Sequence, residues 1–259
     1  MSVTARPLRV VVTRPAAQAA AWVEQLRERG VAAEALPLIE IAAVEVAAPL
    51  VDAWQSIAHR RLVVFVSANA VEHFFAVRPE GVVWPDDVAA GAPGPGTAEA
   101  LLRAGCPAAA VVSPAVDAAQ FDSEALWERL RGRDWNGARV LVVRSDGGRD
   151  WLADRLRDAG ATVETVGAYR RIAPTFAAAD ARERLDALVA GDDVVWLFSS
   201  SEAIVNLAHA VGDAHWQQAR AVATHPRIAA RARALGFGAV VECGATVDAV
   251  VACIQSIEP

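Results

Sequence analysis

The chain has 259 residues, of which 54% are hydrophobic and 22% are charged, so it lies within the globular range and outside the disordered and fibrous classes. A formal net charge of −6 argues against a nucleic-acid partner, which would need a basic face, but leaves open an anionic small molecule bound by local groups. No apolar run approaches the roughly 20 residues that cross a bilayer, and the first residues lack the apolar segment of a signal peptide, so we expect a cytoplasmic protein.

Short β-branched runs alternate with helical patterns along the chain. Strands are predicted at LRVVVT, VAAEAL, LVVFVS and DVAAGA, with helices over about 16–29, from about 69 and from Pro95. The same order returns with strands at RVLVVR, ATVETV, VVWLFS, ARAVAT and AVVEC. This alternation is typical of βαβ units and predicts an α/β protein whose parallel sheets are covered by helices on both faces.

The chain also contains an internal duplication. Segment 8–34 aligns without a gap to segment 138–164 and shares eight identities over 27 positions. The identical pairs are Arg9/Arg139, Val10/Val140, Val12/Val142, Arg14/Arg144, Leu26/Leu156, Arg27/Arg157, Gly30/Gly160 and Glu34/Glu164. Two similar serine turns follow, FVSANAV at Ser67 and FSSSEAI at Ser200. A repeat of about half the chain predicts two domains with a cleft between them.

Two extended-looking segments, PLIEIAAVEV and GAYRRIAPTF, follow the two repeat starts. If they cross between the domains side by side, they form a hinge. The residues alone leave open whether each repeat folds as its own domain or whether the two βαβ starts are exchanged.

Polar residues collect at the predicted carboxyl ends of strands, where open parallel sheets bind ligands. Turns of this kind present backbone N–H groups at a positive helix end, which suits carboxylates and phosphates. The candidate anion-binding residues are Thr13, Arg14, Ser67, Asn69, Thr97, Arg144, Gly148, Ser200, Ser201 and Arg227. Two alternatives stay open, namely helix capping for Ser67, Thr97 and Ser200 and a solvent-exposed surface role for the two strand-end arginines.

Other chemistry finds little support in the sequence. A Walker A loop, a GxSxG elbow and a Ser-His-Asp order are absent, and SDGGR is a poor match to GxGxxG, which disfavours nucleotide chemistry and covalent hydrolysis. The three cysteines and five histidines lack metal-site spacing, so we expect no metal and no cofactor. Tyr169, the sole tyrosine, lies in GAYRR and is either a packing residue at a domain joint or a phenolic proton donor.

The chain resembles the uroporphyrinogen-III synthase family in an ordered set of motifs that spans nearly its whole length. The motifs are VVTRP, PLIEI, FVSANAV, PGTAEALLRAG, FDSEAL, VLVVRSDGGRDWLADRLRDAGATV, GAYRR, LFSSSEAI and GATVDAVVACI. The resemblance implies a monomeric, bilobed protein with two flavodoxin-like parallel-sheet domains joined by a two-stranded β-ladder. It also implies an exchanged arrangement, with 1–37 plus 173–259 as one discontinuous domain, 41–168 as the inserted domain, and 38–40 and 169–172 as linker strands.

The activity that the resemblance implies is that of a lyase of tetrapyrrole (haem) biosynthesis. Such an enzyme cyclises hydroxymethylbilane, a linear tetrapyrrole with eight carboxylates, to uroporphyrinogen III, with loss of water and inversion of ring D through a spiro intermediate. The resemblance points to Tyr169 as the side chain that assists hydroxide departure. It leaves open a transient contact with hydroxymethylbilane synthase and implies neither a nucleic-acid nor a membrane partner.

Two other functions remain alternatives at the level of sequence. One is a non-catalytic bilobed protein that binds or senses a small anion, and the other is a synthase-like domain that has lost activity. One turn also departs from the family pattern, because THPRIA replaces a GPTTA-like sequence and brings Arg227 and Ile228 in place of hydroxyl groups. Whether the charge of Arg227 replaces a hydroxyl contact is open.

Overall fold

The computed structural model describes residues 8–115, 118, 120–147, 150–212 and 214–257. The chain divides into two compact units. The first unit contains the described residues up to Glu40 and from Ile172 onward, and the second contains those from Ile41 to Arg171. The first unit is therefore discontinuous in sequence, whereas the second is a single stretch.

Strands and helices alternate as predicted. The strands are β1 (Arg9–Val12), β2 (Ala32–Ala35), β3 (Glu40–Ala43), β4 (Leu62–Phe65), β5 (Ala89–Gly91), β6 (Val111–Val112), β7 (Arg139–Ser145), β8 (Thr162–Ile172), β9 (Val194–Phe198), β10 (Arg220–Ala223) and β11 (Ala239–Glu242). The helices are α1 (Ala16–Glu28), α2 (Ala48–Gln55), α3 (Ala68–Ala76), α4 (Pro95–Arg103), α5 (Ser123–Leu130), α6 (Trp151–Asp158), α7 (Ala179–Ala190), α8 (Ser201–Val211), α9 (Pro226–Leu235) and α10 (Val247–Ile257). Short 3₁₀ helices cover Ile57–His59 and Ala108–Ala110.

The first unit contains a five-stranded sheet in the order β11-β10-β9-β1-β2, whose neighbouring strands pair in parallel. Counted within the unit this is the order 2-1-3-4-5 of flavodoxin-like folds. The order reverses between β1 and β9, and ligands of such sheets bind beyond the carboxyl ends of the strands at that point.

The second unit contains a six-stranded sheet in the order β3-β8-β7-β4-β5-β6. The strands from β8 to β6 pair in parallel. The order of this sheet reverses between β7 and β4. The turns after these two strands contain Ser67 and the residues that follow Arg144.

Each sheet combines strands from both copies of the repeat. Strands β1 and β2 come from the first copy and lie in the same sheet as β9, β10 and β11 of the second copy. Conversely, β7 and β8 of the second copy lie in the same sheet as β4, β5 and β6 of the first. Because β7 and β8 correspond to β1 and β2 in the repeat, the two sheets have the same order of corresponding strands.

The repeated glycines have a common backbone reason. Gly30 and Gly160 follow α1 and α6, and both have positive φ angles, 79° and 97°. A residue with a Cβ atom rarely adopts this left-handed conformation, whereas glycine does so freely. The turn from helix to strand therefore requires glycine in both copies.

An aromatic cluster fixes the position of α3 on its sheet. The ring of Phe74 stacks on Trp54 with centroids 4.7 Å apart, and Phe65 of β4 contacts Phe74 edge to face at 5.4 Å. The indole N–H of Trp54 donates a hydrogen bond to the Phe74 carbonyl at 2.7 Å. These buried contacts pack the last turn of α3, which begins after Ser67, against β4 and Trp54.

Within the described residues, none of the helices has the length and apolar character needed to span a bilayer. The same residues contain no group of His, Cys, Asp and Glu side chains arranged to hold a metal ion. Cys106, Cys243 and Cys253 are free thiols, and burial raises the pKa of Cys106 to about 11.

Candidate functional site

Ser67 and Tyr169 meet at the carboxyl edge of the sheet in the second unit. Ser67 is the N-cap of α3, and its Oγ accepts a hydrogen bond from the backbone N–H of Ala70 at 3.2 Å. Tyr169 lies in β8, and its hydroxyl is 2.9 Å from the same Oγ. Ser67 therefore caps the helix and also contacts the predicted proton donor, so its capping and functional roles are compatible.

Tyr169 is covered by its neighbours and is 3% exposed. Its ring stacks against His73 of α3 with centroids 5.9 Å apart. Its backbone carbonyl accepts a hydrogen bond from Asp146 N at 3.2 Å, and Ser145 is its partner across an irregularity in the β7–β8 pairing. The residue is thus packed within its unit, and only a small part of its surface is exposed.

Arg144 is bound by a carboxylate that the sequence analysis did not single out. Its guanidinium forms an ion pair with Asp150, which is the N-cap of α6, and the Arg144 side chain is 21% exposed. A substrate carboxylate that binds Arg144 has to compete with Asp150. The nearby candidate Gly148 lies outside the described residues.

The other candidates of this unit lie on first helical turns. Asn69 is partly buried near the start of α3. Thr97 is 7% exposed in α4, whose N-cap is Gly94 and whose first residue is Pro95. The alternative that Thr97 caps this helix is therefore wrong, because proline fixes the helix start two residues earlier.

In the first unit, Thr13 and Arg14 follow β1. The Thr13 hydroxyl donates a hydrogen bond to the Leu197 carbonyl at 2.7 Å and the residue is 1% exposed, so in this structure its side chain links β1 to β9. The Arg14 guanidinium lies over the Trp22 ring, 4.2 Å from its centroid. Burial lowers the pKa of Arg14 to about 10, which keeps it charged at neutral pH.

Arg14 also has an unmet hydrogen-bonding group. Its Nε atom is buried and has no hydrogen-bond partner among the described residues. A partly desolvated cation at the point where strand order reverses is suited to attract an anion, because local low dielectric strengthens the interaction.

Strands β9 and β10 end at the same edge of this sheet. Strand β9 leads to Ser200 and Ser201, and β10 leads to Arg227. Ser200 is the N-cap of α8 and accepts a hydrogen bond from Glu202 N at 3.2 Å, and Ser201 is the first helical residue. Arg227 is exposed in the first turn of α9, where its backbone N–H donates to Nδ1 of His225 at 3.1 Å. The capping role of His225 was not predicted, although its position just before a proline is a usable signal.

Comparison with known proteins gives the family. The family model described as uroporphyrinogen-III synthase HemD matches residues 20–252. The chain belongs to the uroporphyrinogen-III synthase family. A curated uroporphyrinogen-III synthase from Salmonella typhimurium is 29% identical over 252 residues, which cover 95% of this chain and 99% of the relative.

Solved structures of uroporphyrinogen-III synthases share the fold. A mutant of the Thermus thermophilus protein superposes with a TM-score of 0.61 at 17% identity and covers 96% of this chain and 98% of its own. The Helicobacter pylori protein gives 0.59 at 11% identity and covers 97% of this chain and 100% of its own. These matches confirm the predicted α/β class with two parallel sheets.

Proposed function

We propose that this protein cyclises hydroxymethylbilane to uroporphyrinogen III with loss of one water and inversion of ring D. The match of the family model over residues 20–252 carries the proposal. The S. typhimurium relative, which covers nearly the same length, bears the name of this activity.

Binding of the substrate carboxylates is assigned to the carboxyl edges of the two sheets. Helices α3, α4, α8 and α9, each of nine or more residues, are among those that begin at these edges, and the positive ends of helices favour anions. The residues proposed to bind substrate are Thr13, Arg14, Ser67, Asn69, Thr97, Arg144, Gly148, Ser200, Ser201 and Arg227. Backbone donors at these turns make tight binding compatible with the overall charge of −6.

Tyr169 is assigned the protonation of the departing hydroxyl. Loss of water from the terminal hydroxymethyl group gives an azafulvene, which the far pyrrole ring attacks through its substituted carbon to form the spiro intermediate. That intermediate fragments and recloses with ring D turned over. Positioning of the reacting rings supplies up to about 7–11 kcal/mol in favourable cases, so no cofactor is required by this route.

The contact with Ser67 supports this role for the phenol. The Ser67 Oγ accepts the Ala70 N–H and lies 2.9 Å from the Tyr169 hydroxyl, where either oxygen can be the donor. If Ser67 donates its proton to the phenolic oxygen, the phenolic proton is available to the substrate. Tyr169 is 3% exposed, so only a small part of its surface is open to the substrate hydroxyl.

The deciding experiment mixes purified protein with freshly made hydroxymethylbilane and resolves the product isomers by chromatography. Uncatalysed closure proceeds without inversion, so the control without protein gives the type I isomer. We expect the type III isomer with active protein. Formation of type I alone, at the uncatalysed rate, would contradict the proposal and leave non-catalytic binding of a small anion as the better interpretation.

We also propose that the protein acts in the cytoplasm and receives its substrate through a transient contact with hydroxymethylbilane synthase. The motivation is chemical, because a substrate that closes unaided benefits from rapid transfer. The test measures association of this protein with hydroxymethylbilane synthase by sedimentation velocity while the synthase is turning over. A complex at micromolar concentrations supports transfer by contact, whereas the absence of any complex contradicts it.

A further inference from the structure

A pocket lies at the amino edge of the sheet in the second unit, opposite the edge that contains the candidate site. Its volume is about 670 Å³, and its lining includes residues at the starts of β4, β5 and β7. Strand β4 has four residues, so the two edges are separated by about 13 Å at the usual rise per residue. The pocket is therefore distinct from the site around Ser67 and Tyr169.

Positive charge dominates this pocket. Arg60, Arg61, Arg133 and Arg139 line it, together with one carboxylate residue, Asp87. A second carboxylate, Glu164, is shared, since it binds Arg60 at 2.7 Å and Arg139 at 3.4 Å. Neither Arg61 nor Arg133 forms an ion pair with another residue in the described ranges. Four cations thus face two carboxylates, in a chain whose net charge is negative.

Arg60 is the buried member of this group. Its side chain is 4% exposed, and its Nη2 donates hydrogen bonds to Glu164 and to the Ser56 hydroxyl. Its Nε and Nη1 atoms are buried and have no hydrogen-bond partner in the part of the chain that the structure describes. Leaving charged donors buried without hydrogen bonds is unfavourable, and an anion in the adjoining pocket would offset part of this cost through its charge.

We propose that this pocket binds a small anion that carries at least two phosphate or carboxylate groups. The exposed guanidinium groups of Arg61, Arg133 and Arg139 make the direct contacts, because guanidinium groups bind both anion types through paired hydrogen bonds. Arg60 contributes fixed charge from the wall of the pocket, where low dielectric strengthens its effect. The volume lies within the usual range for small-molecule sites. This site goes beyond the cyclisation activity proposed above.

The test titrates the whole chain with pyrophosphate and, separately, with citrate by calorimetry at constant ionic strength. We expect one or both probes to bind with a submillimolar dissociation constant, and the preferred probe identifies the anion as phosphate or carboxylate in type. The double variant Arg61→Ala/Arg133→Ala is expected to weaken binding by about tenfold or more, since it removes two charged donors from the surface. Glu164→Gln is expected to strengthen binding severalfold, because it removes a competing carboxylate.

Two controls locate the binding. Arg103→Ala removes an exposed arginine of the same unit that does not line the pocket, and we expect it to leave the affinity unchanged. Arg144→Ala removes a cation from the candidate site at the opposite edge. The proposal is overturned if neither probe binds with a submillimolar dissociation constant. It is also overturned if Arg144→Ala abolishes binding while the double variant retains it.

Discussion

The hydroxyl groups of Ser67 and Tyr169 lie 2.9 Å apart, although 102 residues separate them in the chain. The contact joins a turn from one copy of the repeat to a strand from the other, because β4 and β8 belong to different copies but to one sheet. The serine is fixed by its capping bond and the phenol by the packing of β8. Because the two hydroxyl groups can be removed one at a time, single substitutions at these positions separate a catalytic role from a packing role.

The first prediction concerns the phenolic hydroxyl. Tyr169→Phe removes one buried hydroxyl and keeps the ring, so we expect the melting temperature to change little and the free energy of unfolding to fall by about 1 kcal/mol. If Tyr169 protonates the leaving group, kcat for type III formation falls about 10²-fold or more. An unchanged kcat with a marked loss of stability would assign Tyr169 to packing alone.

The matched variant for that measurement is Ser67→Ala. It removes both the helix cap and the contact with Tyr169, and loss of a cap costs about 1 kcal/mol. We expect kcat to fall less than for Tyr169→Phe, because the phenol is retained but is less well oriented. Comparison with Thr246→Ala, which removes a hydroxyl that accepts the Ala249 N–H at the start of α10 and lies outside the candidate site, separates the effect of capping from that of the contact.

The second prediction concerns the ion pair between Arg144 and Asp150. If Arg144 binds a substrate carboxylate, Asp150 competes with it, and Asp150→Asn should lower KM. Partly exposed ion pairs contribute up to about 1 kcal/mol, so the decrease is up to about fivefold. Arg144→Ala should raise KM. Steady-state assays that find KM unchanged in both variants would show that this pair is a surface feature only.

The third prediction concerns the half-buried cation Arg14. Arg14→Met keeps a long side chain beside Trp22 but removes a desolvated charge, so we expect the melting temperature to stay the same or rise. If Arg14 attracts a substrate carboxylate, KM rises by about tenfold. Arg103→Met, an exposed arginine on α4, serves as the control. A lower melting temperature with unchanged KM would mean that the cation–π contact with Trp22 is its role.

The fourth prediction concerns the pH dependence that Glu164 produces. Its hydrogen bond to Arg60 holds the pKa of the Glu164 carboxyl below its usual value. A depressed carboxyl pKa in the folded state adds stability above the unfolded pKa, and this stability is lost as the pH falls through the folded value. Glu164→Gln should therefore lower the free energy of unfolding at pH 7 by up to about 1 kcal/mol, because the negative charge opposite Arg60 is lost but the pair is partly exposed to solvent.

Urea unfolding of the original protein and of the Glu164→Gln variant, at pH 7 and at acid pH, checks this prediction. The difference between them should shrink as the pH falls from the unfolded-state pKa of the carboxyl through its lower folded-state pKa, where the carboxyl of the original protein becomes protonated. Glu99→Gln, which removes an exposed partner of Arg103, should give a small difference at both pH values. A difference for Glu164→Gln that stays constant with pH would mean that shape, not charge, stabilises this contact.

The fold could be predicted from the sequence where the local hydrophobic pattern agrees with the tertiary structure. The runs LVVFVS and VVWLFS contain β4 and β9, whose residues are all buried, and the predicted helix at 16–29 corresponds to Ala16–Glu28. The repeated glycines follow from backbone geometry alone. The exchange of strands between the copies was not readable from the residues, because both pairings bury the same apolar faces.

The site was less predictable because partners distant in sequence decide what each side chain does. The pattern placed Thr13 at a strand end but gave no sign that its hydroxyl binds the Leu197 carbonyl. It identified Arg144 as a cation but not its pairing with Asp150. The arginine pocket at the amino edge was missed altogether, since Arg60 and Arg139 lie in separate segments that come together only in the folded sheet.

The exchanged strands also have a consequence for how the chain folds while it is being synthesised. Strand β1 leaves the ribosome early, yet the Thr13 hydroxyl bonds to a carbonyl 184 residues further along, and β1 pairs with β9. The segment Ile41–Arg171 is continuous and has all of its own strands by the time its last residue has emerged. The middle of the nascent chain can thus fold first, while the amino-terminal strand keeps one unpaired apolar edge until β9 is synthesised, and such an edge favours aggregation during translation.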